Sequence, residues 1–261
     1  MRSGSVDTVD RIAYLDQAAS TAPGRDYKRR LLADLDLRFG QTVLDVGCGP
    51  GTDLADLAAA VGVEGAVIGV DRDPGMAAEA RRRVADLARV EVRVGDAHAL
   101  PLPDGSVDRA RTDRVLQHLA RPAQAVAELR RVVRPGGLVA LAEPDWDTLV
   151  VDDRDVETSR AYTRFVVEQV VRNAAIGRQL ARLLVEAGLQ VHRLEATPVI
   201  FREFKAAEMV LRLGSVCERA WRAGAFTEEA GRAWLDRIER GPFLASFVLF
   251  TAVGSAQPVG E

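Results

Sequence analysis

Residues 42–51 read TVLDVGCGPG. A short apolar run breaks into glycine at alternate positions, Gly47, Gly49 and Gly51. With no Cβ atoms in the way, such a loop lets a ligand come close to its backbone. In an open α/β sheet, ligands bind beyond the carboxyl ends of the strands, so this loop is the first place to look for one.

The surrounding sequence supplies that sheet. TDLADLAAAV (52–61) places Leu54, Leu57, Ala58 and Val61 at helical spacing. AVIGV (66–70), VEVRV (90–94), VDRART (107–112) and LVALAE (138–143) read as further strands. Helices are expected between them over 73–87, with Asp73 as N-cap and Pro74 in the first turn, and over 122–133, stopped by Pro135-Gly136-Gly137. Past residue 145 the rhythm changes to a helical stretch (155–187), a strand (189–201), a long helical insertion (203–240) and a last apolar strand, FLASFVLFTAV (243–253). Residues 1–34 read as a helical prelude broken at STAPGRD (20–26). The expected fold is α/β: a Rossmann-like, seven-stranded, mostly parallel sheet with helices on both faces and a helical cap. One domain is expected over residues 1–261, with cap segments 1–34, 146–175 and 201–240 around a core of 35–145, 176–200 and 241–258.

Composition narrows the function. A chain of 261 residues that is 48% hydrophobic can bury a sizeable core. A net charge of −3, with Lys28 and Lys205 the only lysines, argues against a general nucleic-acid binder. Two cysteines make no disulfide framework, and Cys48 reads as a small residue in a tight loop. His98, His118 and His192 show no ligand spacing, so no metal is expected. The N-terminus lacks an apolar signal core and the most apolar run is too short for a bilayer, which points to the cytoplasm and to no membrane partner. The helical cap leaves a homodimer open.

The strand ends then discriminate among ligands. A Walker loop needs a lysine that is missing here. For G-x-G-x-x-G the third glycine is misplaced, because counting from Gly47 or Gly49 ends on Thr52 or Leu54. Asp71 follows the last glycine by twenty residues, and a carboxylate there can accept from both hydroxyls of a ribose. Asp96 can accept from an adenine amino group while the Ala97 N–H donates to a ring nitrogen. With Asp45 just before the glycines, the acidic mouth suits an adenosine whose tail carries an ammonium and a sulfonium.

VLDVGCGPG, VIGVDRDPGMAAEAR, VRVGDAHALPLPDGSVDRARTDRVLQHL and ELRRVVRPGGLVALAEPDW, in order and in register over about residues 40–146, resemble the class I S-adenosylmethionine-dependent methyltransferases. The likeness is greatest to the subgroup that methylates quinones and bacterial small molecules. The resemblance implies that Gly47, Gly49 and Gly51 lie against the methionyl part of S-adenosylmethionine, with Asp45 steadying its amino group. It implies that Asp71 binds the ribose, Arg72 and Met76 flank the adenine, and Asp96 and Ala97 read its edge. Thr112 and Arg114 border the methionyl end. Arg114 departs from the small polar residue or histidine common there, and would meet either the cofactor carboxylate or an anionic substrate.

Other candidates carry two readings each. His118, four residues beyond Arg114, would share a helix face with it and act as general base, or it is an ordinary helix histidine. Glu143 and Asp145 face the substrate or cap the next segment. Trp146 is a pocket wall or core. Tyr14 and Tyr27 belong to the segment that closes one side, and 218–240 reads as an amphipathic lid with Trp221 and Trp234 turned inward. The leading expectation is methyl transfer to an O, N or C nucleophile of a small molecule, a secondary metabolite or quinone-like compound. The alternatives are a non-methylating reaction such as cyclisation on the same cofactor site and, with less support, RNA or protein methylation.

Overall fold

In the computed structural model, which describes residues 11–16 and 22–257, β1 (Thr42–Val46) lies near the centre of a seven-stranded sheet. The strands are β2 (Ala66–Asp71), β3 (Val90–Val94), β4 (Val107–Asp113), β5 (Val133–Val151), β6 (Leu189–Phe201) and β7 (Ala245–Ala256), in the spatial order β3-β2-β1-β4-β5-β7-β6. β7 runs antiparallel to both its neighbours, and the other pairings are parallel. This is the expected mostly parallel Rossmann-like sheet. Its strand order reverses beside β1, which opens a crevice at the carboxyl ends of β1 and β4.

Both faces are covered. On one, α1 (Ala22–Asp34), α2 (Leu54–Val61) and α3 (Pro74–Arg83) bury Leu31, Leu57 and Ala80 against Val43, Val67 and Val92. On the other, α4 (Pro122–Val132) and α6 (Leu180–Glu186) bury Leu129 and Leu184 against Leu44 and Leu141. Asp73 caps α3 as read from the sequence, its Oδ1 accepting from the Gly75 and Met76 N–H groups.

The cap differs from a single helical run. Residues 203–240 form α7 (Phe204–Leu211), α8 (Leu213–Arg222) and α9 (Glu228–Arg240), joined by breaks at Arg212, which takes a left-handed φ of 53°, and at 223–227. Trp234 is fully buried against Tyr162 of α5 (Val156–Phe165), ring centroids 4.8 Å apart, and its indole N–H donates to Ser159. The predicted helix over 155–187 breaks at 171–176: α5 continues into a π-helical segment (Val166–Val170), and a 3-10 turn (Gly177–Gln179) leads into α6. Pro135-Gly136-Gly137 ends α4 but lies inside β5, which continues past Glu143 to Val151 through an irregularity between Asp145 and Val150. Of the prelude 1–34, residues 1–10 and 17–21 lie outside the described residues, and so does residue 258 of the expected core. No helix of the described residues is long and apolar enough to cross a membrane.

Candidate active site

The glycine loop leaves β1 at Gly47, whose N–H, like that of Cys48, donates to the Val70 carbonyl of β2. Gly47 has a φ of +72°, and a Cβ there would stand 2.3 Å from Val115 Cγ2. At Gly51 a Cβ would meet Ala80 of α3 at 3.1 Å, so this glycine admits a helix rather than a ligand. The loop forms one wall of a cleft lined by Leu15, Lys28, Asp45, Gly47–Gly49, Pro50, Thr52, Asp53, Arg111, Asp113 and Arg114.

The opposite wall is charged. On β4, Arg109 and Arg111 point to the α1 side, where a strand of this type ordinarily places apolar residues. Arg109 donates from Nε to the Leu35 carbonyl at 2.8 Å and so holds the end of α1. Arg111 is almost fully buried; its Nε stands 3.0 Å from Asp45 Oδ1 and its Nη2 pairs with Asp53. Lys28, carried in by α1, lies 2.5 Å from Asp53 and 3.1 Å from Asp113, and the Tyr27 hydroxyl donates to Asp113. Arg114 stands 3.6 Å from Asp113 and over the Tyr27 ring at 6.0 Å. Lys28, Arg111 and Arg114 thus interleave with Asp45, Asp53 and Asp113. Burial alone would raise the Asp53 pKa, but Arg111 and Lys28 hold it well below the ordinary value. At Asp45 burial wins over Arg111 and pushes it up to about 6.

Two buried atoms here, Thr112 Oγ1 and Arg114 Nε, lack a hydrogen-bond partner. Buried polar groups are ordinarily satisfied, so these orphans around a glycine cradle fit a polar ligand with its own donors and acceptors.

Asp71 at the end of β2 accepts from the Gly49 N–H at Oδ2 and the Asp73 N–H at Oδ1, both at 2.9 Å. Each oxygen keeps a further lone pair. Asp96 is largely exposed after β3, Ala97 is buried, Arg72 is exposed and Met76 is buried. Segment 11–16 lies across this end of the sheet. Arg11 pairs with Asp73, Asp16 pairs with Arg83 of α3, the Tyr14 hydroxyl donates to the Val210 carbonyl of the cap, and Leu15 faces Gly49.

Three sequence readings change. Arg114 and His118 do not share a helix face, because Arg114 takes a left-handed φ of 57° and only a single 3-10 turn, Leu116–His118, follows. Glu143 does not face a substrate. It is fully buried and accepts from the Val115, Leu116 and Gln117 N–H groups at 2.7, 2.5 and 3.4 Å, capping that turn. Trp146 is tied to the core side, 4.9 Å from the Phe247 ring, and donates to Gln117 Oε1. His118 is exposed, yet the protein around its ring, then Arg72, Arg11 and Arg114, hold its pKa below the ordinary imidazole value. Lys28, Asp53, Arg111 and Asp113 were missed. Arginines at alternate positions of the strand VDRART were their one visible signal. Among the described residues, no group of His, Cys, Asp and Glu is clustered as metal ligands would be.

A family model described as a methyltransferase domain matches residues 44–141. An uncharacterised 37.1 kDa protein of a Streptomyces fradiae transposon is 52% identical over 249 residues, 95% of this chain and 72% of that protein. A demethylmenaquinone methyltransferase of Beutenbergia cavernae is 38% identical over 143 residues, 54% of this chain and 57% of its own length. The chain thus spans little more than half of that relative. Among solved structures, a candidate methyltransferase from Bacillus halodurans superposes with a TM-score of 0.64 at 18% identity, over 88% of this chain and 98% of its own. The cyclase SpnF superposes with a TM-score of 0.59 at 20% identity, over 91% and 82%. At such identities the structures speak for the fold, and a fold does not fix a reaction.

Proposed function

Because this chain belongs to the class I S-adenosylmethionine-dependent methyltransferases, we propose that it methylates an O, N or C nucleophile of a small molecule in the cytoplasm, a bacterial secondary metabolite or quinone-like compound. The observation that carries this reading is the cleft at the ends of β1 and β4, where a glycine loop faces three cations interleaved with three carboxylates. A zwitterionic methionyl tail matches such a wall; a polyphosphate would meet Asp45, Asp53 and Asp113. The quinone-type relative supports the substrate class.

S-Adenosylmethionine, when bound, supplies an electrophilic sulfonium methyl. The chain's own residues hold and orient. Gly47 and Gly49 leave room for the tail, and Asp45 answers its ammonium through water. Asp71 offers its remaining lone pairs to the ribose hydroxyls. Arg72 and Met76 bound the adenine, and Asp96 and the Ala97 N–H read its edge. Thr112 and Arg114 border the reacting end. Fixed orientation supplies much of the rate, because the leaving group is already good. His118, kept neutral first by the protein packed around its ring and then by Arg72, Arg11 and Arg114, takes the proton of an acceptor hydroxyl. Tyr14 and Leu15 close the mouth against water.

The test is incubation with methyl-labelled S-adenosylmethionine and a fractionated bacterial extract. Label is expected in the low-molecular-weight fraction, and label confined to RNA or protein would overturn the reading.

A further inference from the structure

Asp96 sits on a loop with its side chain 62% exposed, yet it is not free to turn. Its Oδ1 accepts from the His98 backbone N–H at 2.9 Å and lies 2.6 Å from His98 Nδ1. The other ring nitrogen, Nε2, accepts from the Arg121 N–H at the start of α4, 3.3 Å away, and the His98 carbonyl accepts from Gln124 Nε2 at 2.8 Å. An atom that accepts from an N–H carries no proton, so Nε2 is bare and Nδ1 is the protonated nitrogen, donating to Asp96. Both lone pairs of Oδ1 are then engaged, and Oδ2 is the oxygen left to face outward.

We propose that His98 is a positioning residue: braced on the N-terminus of α4, it locks the Asp96 carboxylate so that a bare acceptor oxygen faces the amino edge of the cofactor's adenine and rejects a keto group there. This rests on the adenine-reading role of Asp96 given above. The chemistry is simple. A carboxylate that can only accept will bond an exocyclic N6 amino group and repel an O6 carbonyl. The two His98 donors hold Asp96 below the ordinary carboxylate pKa, so it stays an acceptor at working pH. A site built around such a bond discriminates strongly against an analogue that cannot make it. Without the ring, Asp96 would keep one backbone bond and could swing, and discrimination would fall even though the carboxylate remained.

The experiment is calorimetric binding of S-adenosylhomocysteine and its deaminated counterpart, S-inosylhomocysteine. The ratio of the two affinities within one protein cancels any general loss of folded protein. Wild type is expected to prefer the adenosyl ligand by about tenfold or more, the worth of one hydrogen bond to a charged group. In His98→Ala the ratio should fall to within about threefold. His98→Asn, whose side-chain amide N–H replaces the Nδ1 donor, should restore it. Asp96→Asn should invert it, because His98 captures the amide oxygen and leaves the NH2 facing the keto group. That inversion should vanish in the Asp96→Asn, His98→Ala double variant. An unchanged ratio in His98→Ala overturns the inference. A wild type with no preference overturns instead the reading of Asp96 on which it stands.

Discussion

The ammonium of Lys28 stands 2.5 Å from Asp53 Oδ2, and Arg111 from β4 pairs with the same carboxylate oxygen. A helix from the N-terminal prelude and a central strand therefore share one counter-ion at the start of α2. Asp113 repeats the arrangement, since Lys28, Arg111 and Arg114 all reach it. The cluster does two things at once. It fastens α1 over the sheet, and it lines the cleft beside the glycine loop.

Removing one cation leaves the buried carboxylates it holds with one partner fewer. Lys28→Met or Arg111→Met should each lower the unfolding free energy by about 3 kcal/mol. The double variant should lose more than the sum, by about 1 kcal/mol or more, because each single leaves Asp53 its other cation and only the double orphans it. Urea unfolding of the four proteins measures this. Strict additivity would mean that the two cations act independently.

Asp71 already accepts from the Gly49 and Asp73 N–H groups, which fixes its carboxylate at the end of β2. Asp71→Asn replaces one acceptor oxygen by a donor, so either a loop N–H or a ribose hydroxyl loses its partner. S-Adenosylhomocysteine binding should weaken by about tenfold to a hundredfold, as for a hydrogen bond to a charged group. Calorimetry with an affinity equal to wild type would remove Asp71 from the cofactor site.

The strands of the first half, and β6 to the residue, were legible because they repeat a short apolar run closed by Gly, Pro or Asp. The places of Asp71 and Asp96 at the ends of β2 and β3 were legible because they follow from the strand bounds along the chain. The cluster of Lys28, Asp53, Arg111 and Asp113 was not. Its members lie up to 85 residues apart, and only α1 packing on β4 brings them together. The turn after Arg114 was misread for a related reason. VLQHL has helical spacing, but the buried Glu143 from β5 takes three of its N–H groups and Asn173 binds the Leu116 and Leu119 carbonyls, so tertiary bonds replace a helix. The cap breaks at Arg212 and 223–227 have no glycine or proline signal strong enough to place them, apart from Gly224.

Gly47 tests the link between the glycine loop and that turn. Gly47→Ala would force a side chain into a left-handed φ and against Val115, whose Cγ2 would stand 2.3 Å from the new Cβ. The backbone strain alone costs about 1–2 kcal/mol. The overlap adds to it or pushes Val115 and the Leu116–His118 turn away. Val115→Ala in the same chain should recover the steric part and leave the backbone part. If the second change recovers nothing by thermal unfolding, Val115 does not set the spacing of the two loops.

Glu143 gives the fold a pH signature. Burial pushes its carboxyl up to about 8, against an ordinary 4.5, and the three N–H groups it caps offset only part of that. The folded chain therefore holds this proton more tightly than the unfolded chain. Its contribution to stability is complete below the unfolded value and is lost as pH rises towards the folded one. Asp45, raised to about 6, acts in the same direction but is spent by that pH. His118, with its lowered pKa, acts in the opposite direction and below the ordinary imidazole value. Between about pH 6.5 and 8, Glu143 dominates among these three, and at 1.36 kcal/mol per pH unit the wild type should lose about 2 kcal/mol. Glu143→Gln keeps an oxygen for the Val115 and Leu116 N–H groups and cannot ionise, so its stability should be flat over that range. Denaturant unfolding of both proteins at pH 6.5 and 8.5 measures the difference. A gap between them that does not change with pH would mean that Glu143 is ionised throughout, held by the three N–H groups as an anionic cap.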